Sequence, residues 1–77
     1  MPEDFAAEET TDPLIADARN FFKVELWGRT DRVWRMIYAS NRLDWVQGVF
    51  AAQVRRRPGG RYTIRQGVRV LRKWPED

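Results

Sequence analysis

A chain of 77 residues has room for one small domain. It holds neither Cys nor His, which excludes disulfides, thiolate zinc sites and imidazole acid–base chemistry. Its net charge of +3 hides a segregation. Residues 1–18 carry Glu3, Asp4, Glu8, Glu9, Asp12 and Asp17 and no base, whereas residues 19–75 set 14 bases, 12 of them Arg, against Glu25, Asp31 and Asp44.

The acidic start has the wrong charge for a secretory or organellar leader. No run approaches the roughly 18 apolar residues that span a bilayer. A cytoplasmic, bacterial protein without membrane contact is the expectation. Four Trp, four Phe and two Tyr provide the bulk that a core this small requires.

Residues 1–18 read as an acidic, disordered tail, because residues 1–11 are small and polar without periodicity. A short helix over 13–19 is signalled by Asp12 as N-cap and Pro13 at the first helical position, with Leu14, Ile15 and Ala18 sharing a face. A single basic domain occupies 19–75. Phe22, Val24 and Leu26 alternate with Lys23, Glu25 and Trp27, the period of a half-buried strand. Gly28–Asp31 has turn chemistry. Residues 32–39 fit a strand or a helix. Their Val, Trp, Ile and Tyr content favours a strand, with Val33, Ile37 and Ala39 on one face and Trp34, Met36 and Tyr38 on the other.

Residues 40–57 predict the main helix. Asn41 is the expected N-cap, with Asp44 in the capping-box position. Leu43, Val46, Phe50 and Val54, with Val49 beside them, form its apolar stripe. Arg55, Arg56 and Arg57 suit the negative end of the helix dipole, and Pro58-Gly59-Gly60 stops the helix. Residues 61–74 alternate again, interrupted by Gly67. A two-residue turn at Gln66-Gly67 would place arginines among core positions. A bent strand or an odd-length loop is therefore expected, with Arg65 and Arg69 both turned away from the core. The fold class is α+β: a small antiparallel sheet, ββαβ or ββαββ, with one main helix packed on one face.

Val24-Glu25-Leu26-Trp27, the helical Val49-Phe50-Ala51-Ala52 and the closing Tyr62-Thr63-Ile64-Arg65-Gln66-Gly67-Val68-Arg69-Val70 resemble a group of short bacterial proteins with V-E-L-W and T-L-R-x-G-x-R-V patterns. The resemblance covers residues 20–74. It implies kinship of fold and no activity, since none is established for that group.

Catalysis is not expected. Ser40 and Thr63 have no His to activate them, and Gly59-Gly60 lacks the surroundings of a phosphate loop. No metal ligand set and no cofactor are expected. An Arg-rich surface points to an anionic partner. The expected function is non-catalytic nucleic-acid binding through Arg55, Arg56, Arg57, Arg61, Arg65 and Arg69, with stacking by Trp27, Trp34, Tyr38 or Trp74. Trp34 and Tyr38 are expected rather in the core, because a small domain needs its rings inside. The alternative is a protein-interaction module, in which the sheet face left uncovered by a single helix takes a second copy or an acidic protein. The acidic tail is expected to compete for the basic surface.

Overall fold

The computed structural model describes residues 6–30 and 32–76. Within them, alternation, turn chemistry and the apolar stripe produce β1 (Glu9–Thr10), α1 (Pro13–Ala18), β2 (Phe22–Trp27), β3 (Val33–Ser40), α2 (Leu43–Arg56), β4 (Arg61–Gln66) and β5 (Arg69–Trp74). The strands make one antiparallel sheet of order β1-β3-β2-β4-β5. The fold is α+β, and residues 22–74 form its ββαββ part.

Helix α2 crosses one face. Its stripe buries Val46 and Phe50 against Val24, Tyr62 and Ile64, flanked by Leu43, Val49 and Val54 as expected. Arg72 lies 4.9 Å from the centre of the Phe50 ring and roofs this core from β5. No helix among the described residues is long and apolar enough to cross a membrane.

The opposite face is not bare, as a sheet with a single helix would leave it. Helix α1 lies over it, and Ala16 is buried with Phe21, Met36 and Ala39. Asp12 caps this helix by accepting from the Leu14 N–H at 2.9 Å. Leu14 and Ile15 point outward, Leu14 being 80% exposed. A helix of six residues has less than two turns, and Ala16 is the residue it buries against the sheet.

The acidic segment departs from the expected disordered tail. Its first five residues lie outside the described ones, but residues 6–18 are built into the fold. Strand β1 pairs with β3, Glu9 opposite Ser40 and Thr10 opposite Ala39. Asn41 accepts from the Glu8 N–H at 2.9 Å and donates to the Ala6 carbonyl at 3.1 Å. Tyr38 donates to Glu9 at 2.6 Å. Burial raises the Tyr38 phenol above its ordinary pKa, and that hydrogen bond adds to the effect.

Holding the N-terminal segment diverts Asn41 from its expected role. The N-cap of α2 is Arg42 and makes no side-chain capping bond. Its N–H donates instead to Ser40 Oγ, and its guanidinium forks onto Asp44 at 3.0 and 2.7 Å. Those hydrogen bonds hold the Asp44 carboxyl below the usual carboxylate range.

Two irregularities set the parity of β3. Val24 pairs with Tyr38 and Glu25 with Met36, so Ile37 is an extra residue; Leu26 pairs with Arg35 and Trp27 with Val33, so Trp34 is another. Each bulge resets the alternation. Met36 and Ala39 therefore face α1, while Ile37 and Tyr38 pack toward α2. The strict two-residue period read from the sequence does not hold along this strand.

Strands β4 and β5 are joined by a two-residue turn, where a bent strand or an odd-length loop was expected. Gln66 pairs with Arg69 and Arg65 with Val70, leaving Gly67 and Val68 at the tip. Gly67 has φ +60°, which a glycine at the first turn position adopts without strain.

Candidate functional site

The sheet ends where the β2–β3 turn meets the loop between α2 and β4. Both of its faces are reached there. Leu26 and Tyr62 lie on the α2 side of the adjacent pair β2 and β4, with Trp27 and Arg61 on the other. Arg61 donates to the Gly28 carbonyl at 3.3 Å, fastening turn to loop. The last turn of α2 is fastened as well. The Arg57 carbonyl accepts from the Gly60 N–H at 3.0 Å and from the Tyr62 hydroxyl at 3.1 Å.

Between these walls lies a cleft of about 650 Å³. Trp27, Trp34 and Tyr62 give it ring surface, and Arg29, Arg57 and Arg61 give it positive charge. A smaller cavity of about 260 Å³ shares Leu26, Trp34, Arg57 and Tyr62 with it and adds Arg35 and Arg56. A third, of about 270 Å³, shares Trp27, Arg61 and Tyr62 and adds Lys73 and Trp74. Among the described residues lining these three cavities there is no carboxylate.

Trp34 is one of the two bulged residues of β3 and stands 76% exposed. This corrects its expected place in the core: the bulge turns the ring out of the sheet's alternation. Bulges frequently re-aim side chains at functional sites. Trp27 and Trp74 are half-buried, and their ring N–H groups are occupied. Trp27 donates to Thr63 Oγ1 at 2.8 Å and Trp74 to the Pro58 carbonyl at 3.0 Å.

The six arginines singled out from the sequence separate into groups. Arg56, Arg57 and Arg61 line the connected cavities. Arg55 is exposed in the last turn of α2. Arg65 and Arg69 sit toward the other end of β4 and are not side by side. Arg65 shares a face with Val70, and Arg69 with Gln66, so the hairpin puts them on opposite faces. The expectation that both line one outward ridge does not hold, because a two-residue turn at Gly67-Val68 takes the place of the expected bent strand or odd-length loop.

Arg65 instead completes a buried charge cluster under α1. Its Nε and Nη2 donate to the two Glu25 oxygens at 2.7 Å each. Glu25 is only 2% exposed, with Lys23 Nζ at 4.0 Å and Thr63 Oγ1 at 3.5 Å. Lys23 is tied in turn to Asp17 at 2.5 Å. The hydrogen bonds to Glu25 raise the Arg65 pKa further above its ordinary value. Two acids of the described part of the tail thus serve nearby bases, Glu8 on Arg19 at 2.8 Å and Asp17 on Lys23.

Arg29 and Arg35 also line these cavities, and no local pattern marks them as members of the site. Their signal is spatial: a turn and a bulge bring them beside the end of a helix more than twenty residues later.

Gly60 shapes the cleft floor. A Cβ there would lie 2.6 Å from the Tyr62 hydroxyl and 2.8 Å from its ring. Gly60→Ala is expected to cost about 1–3 kcal/mol, as overpacking does in a tight site. Gly59→Ala, which meets nothing within 4 Å, is expected to shift stability by less than about 1 kcal/mol. Urea denaturation of both variants measures the difference, and equal midpoints would refute this role for Gly60.

Comparison with known families, characterised proteins and solved structures gave no match.

Proposed function

We propose that this is a small, basic, non-catalytic binding domain that contacts nucleic acid through the arginine-lined cleft at the end of its sheet. The observation that carries the reading is the convergence of Arg29 and Arg57 on one cleft, with Arg35 and Arg56 in the cavity that adjoins it. Guanidinium groups pair with phosphate through a planar fork, and several in one groove make an electrostatic footprint. Of the domain's carboxylates, Glu25 is engaged by Arg65 and Asp44 by Arg42, which gives both structural work.

The interaction-module alternative has less support. The face it would use is partly covered by α1, and the edge strand β5 carries Arg69, Arg72 and Lys73, which would crowd like charges together in a self-paired sheet.

Fluorescence anisotropy with mixed-sequence oligonucleotides at two salt concentrations tests the proposal. Binding should weaken steeply with salt. Substituting Arg56 and Arg57 together by alanine should reduce the slope of log K against log [salt] by about 1.4 for a single strand, roughly 0.7 for each phosphate lost. Absence of salt-dependent binding to any oligonucleotide would overturn it.

A further inference from the structure

We infer that the nucleic acid held by this domain is single-stranded and lies across the end of the sheet with its bases against tryptophan. The inference rests on the function proposed above and specifies its ligand. The three cavities at the sheet end are sections of one track. Adjoining sections share residues: Trp34 and Arg57 at the first junction, Trp27 and Arg61 at the second. Each section pairs a tryptophan with a cation. Trp34 stands with Arg35 and Arg56, Trp27 with Arg29 and Arg61, and Trp74 with Lys73.

This alternation suits a strand whose phosphates and bases are both accessible. A duplex offers its phosphates but keeps its base faces stacked, so it would meet the arginines and leave the rings without partners. Bases of a single strand stack on aromatic side chains whatever their identity, because each has a π-face. Hydrogen bonds to Thr63 and Pro58 already fix the Trp27 and Trp74 rings, so little freedom is lost when bases stack there. Trp34, on its bulge, is the open platform. An acidic peptide would satisfy the arginines but has no equivalent use for three successive rings.

The test compares four probes on the full chain: a thymidine 12-mer, a 12-base-pair duplex, an abasic 12-mer with the same phosphates, and a glutamate 12-mer. The thymidine strand should bind most tightly. Trp34→Ala should weaken that binding about 5- to 150-fold while leaving duplex and abasic binding unchanged. Trp34→Phe should retain most of it. Because the Trp34 ring is largely exposed, circular dichroism of the alanine variant should match the parent.

Equal affinity for thymidine and abasic strands, or no effect of Trp34→Ala, would overturn the single-strand inference and leave nucleic-acid binding standing. Tightest binding of the glutamate chain would overturn it in favour of an acidic protein partner. Binding of no probe would overturn the proposed function together with this inference.

Discussion

Replacing Glu25 by alanine is expected to remove about 3–5 kcal/mol of stability, the usual cost of breaking a buried ion pair from one side. The carboxylate is almost wholly enclosed and accepts both arms of the Arg65 fork. Without it, Arg65 loses its partner and Lys23, whose side chain is 7% exposed, keeps only Asp17. Stability of domains generally lies at about 5–15 kcal/mol, and a small one sits near the low end. The variant should therefore be substantially unfolded at modest urea.

The pair is strongly needed once present, yet that does not make it a net stabiliser. Enclosing two charges has a desolvation cost that their attraction roughly offsets. The double variant Glu25→Leu with Arg65→Met should thus regain most of what Glu25→Ala loses. Urea denaturation of parent, single and double variants decides the matter. A Glu25→Ala loss below about 1 kcal/mol would show that the cluster is effectively solvated, contrary to the 3–5 kcal/mol expected of a buried pair.

Phe50→Ala is expected to cost a similar amount, about 3–5 kcal/mol, for a different reason. Its ring fills the space between α2 and the sheet among Val24, Val46, Tyr62 and Ile64. A domain this small has few atoms with which to collapse the cavity left behind. The Arg72 guanidinium over the ring contributes far less, about 0.5–1 kcal/mol for a cation–π contact near the surface. Arg72→Ala should therefore be mild, and in the Phe50→Ala background nearly silent. Thermal denaturation of the two single variants and the double variant separates the terms. An Arg72→Ala loss matching that of Phe50→Ala would show that the roof, not the buried ring, holds this core.

Features legible in the sequence are those fixed by neighbours along the chain. The alternation of β2, the stripe from Leu43 to Val54 and the stop at Pro58-Gly59-Gly60 each depend on a few adjacent residues, and the structure keeps them. The features that escaped depend on distant partners. Asn41 reads as a helix cap until Ala6 and Glu8 are beside it. The bulges at Trp34 and Ile37 arise from pairing with β2, and no local pattern marks them. Acidic residues 6–18 look unable to fold alone, and they fold by borrowing the edge of β3. The candidate site was half visible for the same reason. Arg55 to Arg61 form a sequence cluster, while Arg29, Arg35 and the turned-out Trp34 join it only through the sheet.

The order of strands has a consequence for synthesis. Strand β2 lies between β3 and β4, and Lys23 is paired with Arg65, 42 positions later. While the chain emerges from a ribosome, β2, β3 and α2 are complete before the residues that close the other side of β2 exist. Until then Glu25 waits without Arg65, and the central strand keeps a bare edge. The nascent domain thus passes through an interval in which the edge of its central strand is open, and it ends only when Arg61–Gln66 has been added and can pair with β2.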